Sequence, residues 1–230
     1  MIFIKDEAIV LRSSSSGTND LSITVFTKGF GKENIYIKGG QILKNMYLPK
    51  LQPFNWIKGV FVKYKEKTFI KEIDENVNLS YPFTKDLDKL DTALWILHIF
   101  DKFTIFNDEK LYSLLKNALY YLQFTENKYL QTYKLTFLIK YIALYGILPS
   151  FNKCVKCGVK INRKNFQEFS FKKTGSLCKK CSKNKKTDLS YEELVLTAKL
   201  LKLKFKDINK QGLIISPVLI KKFQDYLENH

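Results

Sequence analysis

Through the first eighty residues apolar and polar side chains alternate. Ile2, Ile4, Ala8 and Val10 form one such run, Leu21, Ile23 and Val25 a second, and Ile35 and Ile37 a third. A period of two rich in β-branched residues predicts half-buried strands. Gly17, Gly29, Gly31 and the pair Gly39-Gly40 fall between the runs as turns, and the serines at 13 to 16 read as a hairpin loop. Pro53 precedes a fourth strand-like run at 54–64, which residues 68–73 can close into a hairpin. Five short strands within about 75 residues predict a small antiparallel barrel, because closure removes exposed edges.

Beyond Pro82 the period lengthens. Leu87, Leu90, Leu94, Leu97 and Asp101 follow three- and four-residue steps, with Ala93, Ile96 and Phe100 widening the apolar stripe. Thr84 is the expected N-cap, and Asp86 and Asp88 suit the positive end of the helix dipole. A second helix is expected over about 108–124 and a third over about 128–145, stopped by Gly146 and Pro149. Residues 189–205 and 217–227 read as two more. The fold class is therefore α+β. Its expected parts are a β domain at 1–80, a helical domain begun at 81–150 and resumed at 189–230, and a cysteine-bearing insertion at 151–188.

Charge changes the picture from a generic fold to a polyanion binder. The chain carries 39 basic and 22 acidic residues, a net of +17. Such a field concentrates nucleic acid or an anionic surface. Arginine occurs only at Arg12 and Arg163 beside many Lys, Asn, Ile, Phe and Tyr, a bias that an AT-rich genome also produces. The excess is concentrated, since residues 151–188 hold 12 basic and 2 acidic side chains. No apolar run has the roughly 18 residues of a membrane span, and no secretory signal is visible. The expected location is the cytoplasm.

Cys154-x-x-Cys157 and Cys178-x-x-Cys181 are separated by twenty residues. Two-residue spacers let both sulfurs of a knuckle reach one ion, and this is zinc-ribbon spacing. Four thiolates close the shell, so the expected Zn2+ is single and structural, with no open position for catalysis. A pair of redox CxxC motifs is the alternative. Phe166, Phe169 and Phe171, with Gly175 as the turn, predict a hairpin carrying the second knuckle. A second signal is Lys28, Lys32, Lys38, Lys44 and Lys50 interleaved with Phe30, Tyr36 and Tyr47. Lysines can neutralise phosphates and aromatics can stack on unpaired bases; the plainer account is a solvated strand face with aromatics in the core. His98, among Leu94, Leu97 and Phe100, reads as a packed side chain rather than a base. Gly39-Gly40 alone is a weak phosphate-loop signal. No nucleophile elbow, P-loop, metalloprotease helix or carboxylate cluster is present, so the protein is not expected to be an enzyme.

The order of these parts resembles the RecO family. The residues that carry the likeness are Ala8-Ile-Val-Leu-Arg12, Gly17, Asp20-Leu21, Val25-Phe26-Thr27, Gly31-Lys32 and Lys38-Gly39. Leu51-Gln52-Pro53-Phe54 and Leu144-Tyr-Gly146-Ile-Leu-Pro149, followed by both CxxC pairs, extend it along the chain. The resemblance implies an N-terminal OB-fold, a helical domain and an inserted zinc module. It implies a recombination mediator of the bacterial nucleoid that binds single- and double-stranded DNA and anneals strands. It also implies binding to RecR, docking of the C-terminal tail of single-stranded DNA-binding protein, and help in loading RecA. Arg12, Lys28, Lys32, Lys38, Lys44 and Lys50 are the DNA-facing candidates. The chain departs from the family at Gln41 and Ile42, where arginines are frequent. An RNA-binding OB/zinc-ribbon protein is the alternative binding module. A nuclease or strand-transfer enzyme is the enzyme alternative, and the carboxylate cluster it would need is not found in the sequence.

Overall fold

The alternating runs form five strands: β1 Ile2–Ser16, β2 Asp20–Thr27, β3 Gly31–Ile37, β4 Asn55–Tyr64 and β5 Lys67–Asn78. In this computed structural model, which describes residues 1–41, 48–184 and 186–230, they make one antiparallel sheet in the order β3-β2-β1-β4-β5. β1 runs to 15 residues because it serves two partners. Its first half faces β4, from Ile2 opposite Lys63 to Ile9 opposite Trp56, and its second half faces β2, from Ala8 opposite Thr27 to Ser16 opposite Asp20. Ala8, Val10, Leu21, Ile23, Val25, Ile35, Ile57 and Phe61 supply the inward face and form one buried cluster with Leu51.

The expected closed barrel does not form. The sheet ends at β3 on one side and β5 on the other, with no ladder joining those strands among the described residues, so an OB-fold barrel is not supported. Alternation reports which face of a strand is buried, not whether the outermost strands share hydrogen bonds. Nor are the strands all short, since β5 has 12 residues. The outer strands are linked by side chains instead: Glu33 of β3 accepts from Lys63 Nζ at 2.8 Å and from Thr68 Oγ1 of β5 at 2.7 Å. β4 and β5 shift register beside Gly59, where a Cβ would stand 2.1 Å from the Glu72 carbonyl oxygen. Only glycine fits that approach.

Two helices complete the first compact unit, Met1–Asn127. α1, Leu87–Phe103, is capped by Asp86, whose carboxylate accepts from the Lys89 N–H; Thr84 lies outside the helix. Its buried face is Thr92, Ala93, Ile96, Leu97, Ile99 and Phe100, and Phe100 meets Phe26 of the sheet edge-on at 4.8 Å. The stripe read from the sequence is rotated from this face. Leu87, Leu94 and His98 are exposed, so His98 is not a packed side chain. α2, Glu109–Leu122, begins at Asp108, whose side chain accepts from the Lys110 N–H.

The second unit, Lys128–His230, starts inside the stretch that the sequence pattern assigns to a single helical region. α3, Leu130–Leu144, buries side chains on every face. A two-stranded hairpin follows, β6 Phe166–Ser170 and β7 Gly175–Cys178, then α4 Tyr191–Lys202, α5 Ile208–Gln211 and α6 Pro217–Glu228. α4 opens with a full capping box between Ser190 and Glu193. The hairpin is anchored by rings. Phe171 meets Phe223 at 5.1 Å and Tyr226 at 5.0 Å, and Phe151 stacks on Phe169 at 5.8 Å. Among the described residues no helix is long and apolar enough to cross a membrane.

Candidate metal centre and basic surfaces

Both CxxC turns are held by backbone hydrogen bonds. Cys154 N–H donates to Val159 O at 2.9 Å and Gly158 N–H to Cys154 O at 2.8 Å; Cys181 N–H and Ser182 N–H both donate to Cys178 O. The turns are also tied together, because Val155 N–H donates to Ser176 O and Ser176 N–H to Ser150 O. At Gly175, φ is +152° and a Cβ would stand 2.7 Å from Ser150 O, so only glycine lets this crossing close.

The result brings Cys154, Cys157, Cys178 and Cys181 together with all four sulfurs within 4.8 Å of one another. The sulfurs of Cys157 and Cys178 are 3.7 Å apart, far beyond a disulfide and close to the edge of roughly 3.8 Å expected when thiolates sit about 2.3 Å from a tetrahedral ion. Cys154 and Cys178 are buried, Cys181 is half-buried and Cys157 faces water. Burial opposes ionisation of Cys154, but the N–H groups of Cys178, Cys157 and Lys156 outweigh it and hold the thiol at about 6. Hydrogen bonding to Cys157, with burial, pushes Cys181 up to about 12. One thiol of the cluster thus ionises readily and another resists, and a bound cation would deprotonate both. The cluster can hold a metal ion.

Sequence reasoning passed over Glu168, which lies beside this centre. It is 2% exposed and accepts from Lys173 Nζ at 2.9 Å, from Asn184 Nδ2 at 3.4 Å and from the Ser182 hydroxyl. Burial raises its carboxyl, and the hydrogen bonds from Ser182, Lys173 and Asn184 together pull it below the usual glutamate value. A glutamate between Phe166 and Phe169 in a lysine-rich hairpin was the available signal.

The sheet's candidate cations are placed differently from one another. Lys28 Nζ lies 3.1 Å from Glu109 Oε1 of α2. Lys32 Nζ is 2.9 Å from Asp101 Oδ1 and donates to the Asp101 carbonyl, which puts a cation at the C-terminal end of α1. Arg12 Nε is 3.6 Å from Asp101 Oδ2, and its Nη2 donates to Thr24 Oγ1. Lys38 is exposed and Lys50 half-buried, while Lys44 and Tyr47 lie outside the described residues. Tyr36 is exposed and donates to Asp20; Phe30 packs against the core and carries Lys63 Nζ at 4.3 Å from its ring centre. Gly39 N–H donates to Asp20 and Gly40 N–H to Ile37 O, so this pair builds a turn. Asp101 and Glu109 were not legible as partners of these cations, because an ion pair across elements has no spacing signature.

The family model described as Recombination protein O N terminal matches residues 1–76, and the one described as Recombination protein O C terminal matches residues 85–214. The chain belongs to the RecO family. It is 31% identical over 195 residues to the DNA repair protein RecO of Thermoanaerobacter sp., with 80% of this chain and 73% of the relative covered. It is 28% identical over 233 residues to that of Alkaliphilus metalliredigens, covering 100% and 92%. To that of Acetivibrio thermocellus it is 29% identical over 195 residues, covering 84% and 76%. RecO proteins are DNA-binding recombination mediators and not enzymes.

Proposed function

We propose that the protein serves DNA repair by binding single- and double-stranded DNA, annealing complementary strands and, with RecR, helping to load RecA onto strands coated by single-stranded DNA-binding protein. The observation that carries this reading is the pair of RecO family matches, which together span both compact units. The net charge of +17 supports it, because association with a polyanion is driven by release of its counterions. Docking of the coating protein's acidic tail and association with the nucleoid belong to the same reading.

The four cysteines are proposed to hold one structural Zn2+. The sulfur spacing fits a tetrahedral ion, and a shell of four thiolates leaves no site for a reacting water. In this reading Arg12, Lys28, Lys32, Lys38, Lys44 and Lys50 supply phosphate contacts. For Arg12, Lys28 and Lys32 such a contact exchanges a carboxylate for a phosphate.

The test is annealing of complementary strands coated with the cognate single-stranded DNA-binding protein. The folded, metal-loaded protein should accelerate it, and more so with RecR. A folded preparation that leaves the rate of coated strands unchanged, with and without RecR, overturns the proposal.

A further inference from the structure

Few of the cations in residues 151–188 meet a carboxylate among the described residues. Both acids of the segment are engaged elsewhere: Glu168 is buried and paired with Lys173, and Asp188 Oδ2 accepts from the Phe171 N–H at 2.8 Å. Arg163 faces Glu192 of α4 at 3.2 Å. The exposed side chains of Lys160, Lys164, Lys179 and Lys180 have no carboxylate within 4.0 Å among the described residues.

Backbone contacts gather these four at the metal end of the hairpin. Asn165 lies at the junction, since its carbonyl accepts from the Lys179 N–H and its Nδ2 donates to Lys160 O, both at 2.9 Å. Lys164 precedes it in sequence, and Lys179 and Lys180 are the two residues between the second pair of cysteines. The scaffold beneath is fixed by the cysteine turns, so these ammonium groups are presented from a rigid base. Lysine is a flexible point charge without the fork that reads a base edge. An array of unmatched lysines therefore fits a repeating phosphate backbone better than a base sequence.

We infer that the metal end of the hairpin, through Lys160, Lys164, Lys179 and Lys180, is a sequence-independent phosphate-backbone binding surface, and that it carries more of the DNA contact than the sheet. This rests on the DNA-binding reading above and adds where the strand lies. On the sheet, Arg12, Lys28 and Lys32 must first give up carboxylates, whereas these four have none to displace.

The experiment compares two quadruple variants of the full chain by fluorescence anisotropy on a labelled single strand and a labelled duplex across a salt series. One is Lys160→Gln, Lys164→Gln, Lys179→Gln and Lys180→Gln; the other is Arg12→Gln, Lys28→Gln, Lys32→Gln and Lys38→Gln. Zinc content and melting temperature are measured on each. The hairpin variant should keep its metal and lose about 3 from the slope of log affinity against log salt, at roughly 0.7 to 0.9 per phosphate contact. The loss should be the same for unrelated sequences, and the sheet variant should lose less. If the hairpin quadruple loses metal, the doubles Lys160/Lys164 and Lys179/Lys180 replace it, each expected to lose about 1.5. A metal-loaded hairpin variant whose slope falls no more than the sheet variant's overturns the inference while leaving DNA binding intact. Wild-type protein that binds neither DNA overturns the reading beneath it.

Discussion

Lys5, Lys28, Lys32, Lys58 and Lys63 of the sheet each lie within 3.2 Å of a carboxylate oxygen, whereas Lys160, Lys164, Lys179 and Lys180 of the cysteine-bearing segment have no such partner among the described residues. The sheet encloses a sizeable apolar core and takes little stability from its surface pairs, which are individually worth at most about 1 kcal/mol. Its pairing mainly decides which charges stay local. The hairpin has a much smaller apolar cluster around its cysteines, and on the proposed reading it depends on a bound metal. Two exposed charges about 10 Å apart repel by only about 0.4 kcal/mol in water. Binding of a structural zinc, at about 10–16 kcal/mol in small modules, dwarfs a handful of such terms. A stapled segment can therefore keep an unmatched charge array that a segment held by packing alone would tolerate less easily.

The most severe way to break the comparison is to remove the staple. Cys178→Ser replaces a buried sulfur at the end of β7 and should release the metal and unfold residues 151–188 locally. Metal analysis and hydrogen exchange should show full protection retained in β1 to β5 and lost in β6 and β7. Equal loss in both regions would mean that the two do not depend on separate supports.

Glu168→Ala asks whether the hairpin also needs its one buried carboxylate. Lys173 is half-exposed and can turn to water, so the cost falls mainly on Ser182 and Asn184, which lose a charged acceptor. About 2–3 kcal/mol is expected in urea unfolding, with faster metal release to a chelator and partial recovery in Glu168→Gln. An unchanged release rate would show that the loop after Cys181 is set by the metal alone.

A smaller, pH-dependent effect belongs to the sheet. Glu7 Oε2 accepts from Trp56 Nε1 at 3.0 Å, Tyr112 OH at 3.1 Å and Lys116 Nζ at 3.0 Å. Burial raises its carboxyl, but Lys116, Trp56 and Tyr112 together hold it below the ordinary 4.5. A depressed carboxyl stabilises fully above that value, and the contribution disappears as pH falls through the folded-state value. The stability gap between wild type and Glu7→Gln should therefore be widest near neutrality and close in acid. Tryptophan emission during unfolding at stepped pH measures it, and a gap that does not narrow on acidification contradicts the assignment. The least effect is expected from Glu109→Gln, which frees Lys28 from a largely exposed partner. Its melting temperature should barely move, by the equivalent of about 0.5 kcal/mol or less.

Much of this was legible in the chain. Strand faces followed from alternation, helix positions from the longer period, and the meeting of the four cysteines from the twenty-residue gap between their pairs. Barrel closure was not legible, because the same alternation serves an open sheet. His98 was misplaced because Leu94 and Leu97 flank it in sequence, while only Leu97 faces the core. Asp101 and Glu109 draw the sheet's cations inward across elements, and neither periodicity nor spacing records such a meeting.

An open sheet leaves two unpaired strand margins, and such margins recruit other chains. Here the acid on β3 that reaches Lys63 and Thr68 sits at that margin with its side chain only 18% exposed. A strand arriving from another molecule would have to bury that carboxylate or break both of its bonds, and either is unfavourable. Glu33 is therefore expected to oppose self-association. Concentrated protein bearing Glu33→Val should form aggregates by light scattering under conditions in which the parent stays monodisperse.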